Sequence, residues 1–432
     1  MLKISERKFT SYPVHNFAET KIQMLNWAKQ FSVFCFLDNH KYNFSEPSFE
    51  CLLAAGTVKT IEMSAGAALY SLQQFKQENN DWLFGHFAYD LKNEIENLSS
   101  ANIDNARFPD GFFFVPQILL LLSNNELKVG ILNIDADKVF SEISSSPKNI
   151  EADEKRIPEI KSRYTKEEYF LCIEQLHKHI LRGDCYEINF CQEFFAEKAA
   201  IDPLYVYHKL STLSPNPFSA LYKVEDKYLL CASPERYLKK VDNKIYSQPI
   251  KGTAKRELNS SLEDENSKQN LLNSVKERSE NVMIVDLVRN DLSKVCIEGS
   301  VKVEELFGIY SFPQVHQMIS TVSGDLKNGI DFAEIIRATF PMGSMTGAPK
   351  KRVMELIELY EKTKRGIFSG ALGYITPEGD FDFNVVIRSI IYNASDKYLS
   401  IQAGSAITFN SNAEKEYEEC LLKIEAMKTA LQ

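Results

Sequence analysis

The chain has 432 residues, of which 44% are hydrophobic and 25% charged, and a formal net charge of -9 at pH 7. That length carries two ordinary domains or one large one, and the composition is globular, not disordered. The acidic balance argues against nucleic acid as a partner, and no run approaches the roughly 18 apolar residues that a membrane-spanning helix needs.

The N-terminus, MLKISERKFTSYPV, has no signal-peptide core, and the 8 cysteines show no CxxC or metal-finger spacing. Reduced thiols in a cytoplasm are the expectation. Residues 1 to about 140 alternate short strands and helices. GFFFVPQILLLL (Gly111–Leu122), interrupted by Pro116, reads as buried strands. Ser144–Tyr169 is polar and carries two prolines, so it reads as a linker running into a helix. In that helix Thr165 and Glu168 have capping-box spacing, Phe170, Ile173 and Leu176 form the apolar face, and Gly183 is the stop. Short strands follow in CYEINFCQEFF, FSALYKV, KYLLCAS and KIYSQPI. Ser261–Met283, without glycine or proline, reads as one long helical run. A further helix is expected with Pro349 as its first residue, continuing through KKRVMELIELYEKTK. The C-terminal part gives strands in GALGYITPEGDFDFNVVIRSIIYN and YLSIQAG, a hairpin turn at PEGD (Pro377–Asp380) and a last helix from about Asn412. There is no fixed-period repeat, and mixed hairpins and helices indicate α+β.

Several stretches carry candidate chemistry. YSQPIKGTAKRE (Tyr246–Glu257) puts Lys251 where a strand runs into a tight glycine turn, either as a surface charge or as a reacting group. GSMTGAPK (Gly343–Lys350) lacks the phosphate-loop pattern. It is either a plain loop before a helix or a place where Thr346 and a helix start meet a carboxylate or hydroxyl. Glu277 and Glu280, and again Glu416 and Glu419, are spaced i, i+3 and so share a helix face. If the two faces met, carboxylates ~4 Å apart would cost about 4 kcal/mol at an effective dielectric of ~20. A hard divalent cation would relieve that repulsion, whereas Glu355 and Glu358 share the spacing and look like ordinary helix surface. Glu235 in SPERYL is either in a solvated turn or a placed acid. Arg388 interrupts the β-branched run VVIRSII and needs a partner, a structural carboxylate or an anionic ligand. His316 in PQVHQMIS reads, on its own, as a hydrogen-bonded core histidine.

Taken together and in order, GDCYEINFCQEF, SPERYL, PIKGT, ERSENVMIVDLVRNDL, GSMTGAPKKRVMELI, GALGYI, VIRSI, IQAGSA and EKEYEECLLK resemble the chorismate-utilising enzymes. These are the family of anthranilate, aminodeoxychorismate, isochorismate and salicylate synthases. The resemblance covers nearly everything from about 160 to 432, and more loosely the first 150 residues. It implies an α+β fold of two large packed antiparallel β-sheets flanked by helices, in α/β/β/α layers. Residues 1–150 would be the N-terminal region and 160–432 the chorismate-binding catalytic domain, both contributing to one β-sandwich.

Lysine before Gly-Thr, as in PIKGT, is similar to the branch that joins ammonia to chorismate at carbon 4, the aminodeoxychorismate synthases, which serve p-aminobenzoate and folate synthesis. Alanine there marks the anthranilate synthases, the alternative; a non-catalytic binding paralogue is the other. The resemblance implies Glu235 as general acid and Lys251 as nucleophile. Because the ordinary lysine pKa is ~10.4, the site is expected to lower it. It further implies Mg²⁺ held directly by Glu280 and Glu419, with Glu277 and Glu416 holding waters. Arg388 and Tyr374 would bind the enolpyruvyl carboxylate, Lys423 would reach the substrate, and Gly252, Thr253, Thr346 and Gly404 would complete the cradle, with His316 near the ring. A separate glutamine amidotransferase subunit would supply ammonia, because the chain shows no such module. Three departures stand out: Glu187 where amine-using members carry glutamine, GTAKRE in place of GTRPRG, and AGSA in place of AGAG.

Overall fold

The structure is a computed structural model that describes residues 6–42, 49–151, 157–312 and 315–432. The first five residues of the stretch read as lacking a leader, and residues 152–156 of the expected linker, lie outside the described residues. The N-terminal part carries β1 (Lys8–Pro13), α1 (Phe17–Ala28), β2 (Val33–Asp38), β3 (Cys51–Met63), α2 (Ala68–Glu78), β4 (Leu83–Phe87), α3 (Lys92–Glu96), β5 (Gly111–Ser123), β6 (Glu126–Ile131) and α4 (Ala136–Ser145). Then come β7 (Lys161–Ser162), α5 (Lys166–Arg182), β8 (Glu187–Ala196), α6 (Pro203–Leu213), β9 (Phe218–Val224), β10 (Lys227–Ser233), β11 (Arg236–Val241), β12 (Lys244–Gln248), β13 (Ile250–Lys255), α7 (Ser261–Asn273) and α8 (Val275–Val295). The last part carries β14 (Lys302–Ser311), β15 (Val315–Asp325), α9 (Phe332–Thr339), β16 (Gly347–Ala348), α10 (Lys350–Tyr360), β17 (Ala371–Ile375), β18 (Phe381–Val385), β19 (Ser389–Asn393), β20 (Tyr398–Ile407) and α11 (Ala413–Ala430).

These strands pair antiparallel into one hydrogen-bonded network that β5 divides into two sheets. Along Gly111–Phe114, β5 pairs with β4, which leads through β17, β18, β11 and β12 to β15, flanked by β13 and β14. Along Ile118–Ser123 it pairs instead with β6, while β3 on its other edge leads through β2, β9, β10, β19 and β20 to β8. The changeover falls at Pro116, opposite Thr57, where β3 slips register between Thr57 and Lys59. A bulge bends a strand and tolerates a residue without an amide donor. The apolar run expected to give separate buried strands is therefore one strand shared by both sheets.

The sheets pack face to face. His86 Nδ1 lies 3.1 Å from the Tyr222 hydroxyl, and Asn384 Nδ2 donates to Phe218 O at 3.1 Å. Tyr222 and Leu229 of one sheet share a buried core with Phe113 and Phe383 of the other. Leu72 of α2, Ile284 of α8 and Phe332 of α9 extend that core on one outer side. Leu25 of α1, Ile143 of α4, Leu210 of α6 and Met427 of α11 cover the other sheet. This is the expected α/β/β/α layering, with the sheets continuous through β3 and β5. The pairs β2–β9 and β4–β17 join residues before 150 to residues after 160 in both sheets. All 8 cysteines are unpaired, and among the described residues no helix is long and apolar enough to cross a membrane.

Local signals decide most helix ends. Both hydrogen bonds of the Thr165 capping box form, and Gly183 closes α5 in the left-handed region at φ 85°. The run Ser261–Met283 is two helices, not one. Ser274 ends α7 and caps α8, its hydroxyl accepting from Glu277 N, and α8 continues to Val295. A serine side chain offers the backbone this alternative partner without any glycine or proline. Pro349 is the N-cap of α10 with extended ψ, not its first helical residue, and the helix stops at Tyr360, short of Lys364.

Candidate active site

Lys251 sits in a flaw of the β13–β15 ladder. Ile250 pairs with Ile319 and Thr253 with Gln317, so three steps on β13 face two on β15. The extra residue re-aims the side chains at the bulge. Gly252 takes φ 97° there, and a Cβ on it would lie 3.1 Å from Glu277 Oε2. The Lys251 side chain is 10% exposed and its Nζ lies 2.7 Å from Oε1 of Glu187, itself 1% exposed at the start of β8. Burial opposes the lysine charge, but the carboxylates of Glu187, Glu280 and Glu235 outweigh it and raise the pKa above the ordinary lysine value. This corrects the expectation of a lowered pKa, because Glu187, a departure from the family pattern in sequence, lies against Lys251 in space.

Glu235 lies between β10 and β11, 4% exposed, with its backbone tied to Ser233 Oγ and to Val385 N. Its Oε1 accepts from Ser344 Oγ at 2.6 Å. Burial pushes its pKa to about 7, opposed by that hydrogen bond and by the nearby charge of Lys251. The acid is thus placed, not solvated. Ser344, in the turn Gly343–Met345, is the residue of GSMTGAPK that reaches it. Thr346 is fully buried and its hydroxyl donates to Met342 O at 3.2 Å.

The side chains of the two ExxE pairs do converge: Lys276 of α8 reaches Glu416 of α11, and Glu419 and Glu416 act on Glu277. Burial raises the pKa of Glu280 to about 7 and raises that of Glu277, with Glu419 and Glu416 adding to the latter. Lys276 Nζ lies 3.8 Å from Glu280 and 3.8 Å from Glu416 and bridges the helices. Oε1 of Glu280 is buried without a hydrogen-bond partner among the described residues. Among the described residues, no three His, Cys, Asp or Glu side chains are grouped as a metal set. Four oxygen donors on facing helices, one with an orphaned oxygen, are nevertheless a donor set that fits a hard divalent cation.

Arg388, at φ 52° between β18 and β19, donates to Lys423 O at 3.5 Å and has no ion-pair partner among the described residues. Burial lowers its pKa, with Glu419 the opposing charge, so its anion-ligand alternative stays available. Lys423 Nζ bonds Glu419 and the carbonyl of Gly404, both at 2.6 Å. Thr253 is exposed, one step past the bulge. The structure does not bring Tyr374 to this cluster. Its ring packs against Trp82 and Phe84 and lines a separate cavity with Asp38, Phe218 and Asn384, because β17 turns that face toward the N-terminal strands. His316 has both ring nitrogens engaged, by Ser311 at 2.9 Å and Asp264 at 3.0 Å, neither of which belongs to the lysine cluster.

Other residues were not singled out beforehand. Glu361 and Arg365 form a buried pair that holds Cys191 N, Asn189 O and Met345 O, and so fix β8 against the Ser344 turn. Glu361 follows the end of α10 and Arg365 lies in the loop before β17, and two charged residues in a polar connection give no signal of burial in sequence.

A family model for chorismate binding enzymes matches residues 34–429. Aminodeoxychorismate synthase component 1 of Salmonella typhimurium is 35% identical over 341 residues, 79% of this chain and 74% of that protein. Anthranilate synthase component 1 of Saccharolobus solfataricus is 32% identical over 349 residues, 81% of this chain and 80% of that one. The crystal structure of anthranilate synthase component I from Streptococcus pneumoniae superimposes with a TM-score of 0.79 at 25% identity, covering 90% of this chain and 94% of that chain.

Proposed function

Because the chain belongs to the family of chorismate binding enzymes, we infer that it works as component 1 of an aminodeoxychorismate synthase. It joins ammonia to chorismate, releases water and gives 4-amino-4-deoxychorismate, which serves p-aminobenzoate and folate synthesis. The observation that carries this reading is a buried lysine, Lys251, beside Glu235, a carboxyl pushed to about 7.

The 4-hydroxyl of chorismate is a poor leaving group and needs a proton as it departs. Glu235, half-protonated near neutral pH, can give it. Lys251 adds at ring carbon 2 as that hydroxyl leaves. Ammonia then attacks carbon 4 and expels the lysine. Arg388 and Lys423 offer positive charge for the carboxylates of the substrate, which an acidic chain must concentrate locally. Magnesium held by Glu280 and Glu419, with Glu277 and Glu416 behind, would neutralise the ring carboxylate.

Relatives that carry the designation component 1 support a separate partner component. We assign to that partner the release of ammonia from glutamine, and to both a cytoplasmic place.

Relatives named anthranilate synthase are nearly as similar, so regiochemistry is the test. Purified protein, chorismate, magnesium and ammonium at alkaline pH are expected to give aminodeoxychorismate by chromatography and mass spectrometry. Anthranilate would overturn the assignment, and unchanged chorismate with a glutaminase partner present would overturn catalysis itself. Lys251→Ala is expected to lose aminodeoxychorismate formation in the same assay.

A further inference from the structure

A lysine that must attack carbon has to shed a proton, and Lys251 is held as an ammonium. Its one ion-pair partner among the described residues is Glu187, at 2.7 Å. That carboxylate has three features of a proton acceptor. It is 1% exposed, its Oε1 already receives the lysine N–H, and its Oε2 is buried with no hydrogen-bond partner among the described residues. A buried carboxylate oxygen without a hydrogen-bond partner carries an uncompensated desolvation cost and is free to receive a proton. A buried ion pair keeps its charges only while the attraction exceeds the desolvation cost, and expulsion of water by a bound substrate shifts that balance. Neither Lys251 nor Glu187 is hydrogen-bonded to, or in ion-pair contact with, the four ExxE carboxylates among the described residues.

Resting on the reading above, we propose that Glu187 is the base that takes the proton from Lys251 Nζ and so makes it the nucleophile. The step is an internal transfer: Lys251 ammonium and Glu187 carboxylate become Lys251 amine and Glu187 carboxylic acid. The amine lone pair then forms the bond to carbon 2, both ring double bonds shift toward carbon 4, and the carbon 4–oxygen bond breaks to release the hydroxyl as water with the proton of Glu235. Ammonia forms its bond to carbon 4, the two double bonds shift back, and the bond from carbon 2 to nitrogen breaks to return the amine. The new ammonium on carbon 4 gives its proton back to Glu235, and Glu187 returns its own to Lys251. No proton is exchanged with solvent in activating the nucleophile.

The groups facing this pair are Glu280 and Glu277 from α8, Glu419 from α11 and Glu235 from the β10–β11 turn; further along, Lys276 acts on Glu280 and Lys423 on Glu235 and Glu419. Their titrations are shared by wild type and a Glu187 variant, so the informative quantity is a ratio. Two readouts are needed on full-length protein. One is labelling of Lys251 by trinitrobenzenesulfonate without substrate, followed by peptide mass spectrometry across pH. The other is kcat/KM for chorismate at saturating ammonium.

In Glu187→Gln the labelling midpoint is expected to move to lower pH, because the raising carboxylate is gone. The ratio of variant to wild-type kcat/KM is expected to be well below one near neutral pH and to climb about tenfold per pH unit up to that new midpoint, since the variant must lose its proton to water. Glu187→Asp, which keeps a base, is expected to give a ratio flat with pH. A Glu187→Gln ratio that does not vary with pH overturns the proposal while leaving the chorismate reading intact, and so does a wild-type kcat/KM whose rise tracks its own Lys251 labelling. If Glu187→Gln does not fold, this wild-type comparison with Glu187→Asp still decides. Wild type that fails to consume chorismate overturns both.

Discussion

Glu235 is a side chain with opposite demands placed on it by folding and by chemistry. Burial raises its pKa from 4.5 to about 7, so the folded protein binds this proton more tightly than the unfolded chain. Its contribution to stability is fully present below the ordinary carboxyl pKa and is lost as pH rises through about 7. At ~1.4 kcal/mol per pKa unit, ionising it costs on the order of 3–4 kcal/mol. Glu235→Gln keeps the shape and can still accept from Ser344. The variant is expected to melt above wild type at pH 8, to match it near pH 5, and to lose catalysis at both; thermal melts at the two pH values check this. An unchanged difference between them would mean that Glu235 is not held protonated. The acid was nameable from SPERYL by resemblance, but its proton affinity was not, because burial and Ser344 come from segments over a hundred residues away.

At the scale of elements, the β13 bulge matters most, because it turns an ordinary strand lysine toward the interior. Only glycine takes φ 97° without strain, and the space beside it is filled by Glu277. Gly252→Ala is expected to cost about 1–3 kcal/mol in stability and to raise KM for chorismate. Chemical denaturation and steady-state kinetics read the two effects; a neutral result in both would mean the bulge does not place Lys251. The helices teach a related lesson. The caps of α5 were legible because Thr165, Glu168 and Gly183 act over a few residues. The break at Ser274 was not, because a serine in a polar run is compatible with a continuing helix until tertiary packing turns the next segment.

For the whole molecule, the approach of side chains from α8 and α11 concentrates four carboxylates around Lys276 and Lys423. Repulsion of this kind is stored by the packing of both helices onto separate cores. A ligand that binds only the folded state stabilises it by mass action. Millimolar magnesium is expected to raise the melting temperature by several degrees, and Glu280→Gln combined with Glu419→Gln to abolish that rise. Differential scanning calorimetry with and without EDTA checks it, and a magnesium effect that survives the double substitution would place the ion elsewhere.

The sequence by itself determined the local pieces: capped helices, alternating strands, the turn at PEGD, and a set of motifs specific enough to identify the family. Those signals act through neighbours in the chain. Tertiary structure alone decided which pieces meet. It set Glu187 against Lys251 across 64 residues, Ser344 against Glu235 across 109, and turned Tyr374 into a different cavity. Charge state follows from those meetings, because burial and the nearest opposite charge fix a pKa, and neither is a property of sequence spacing.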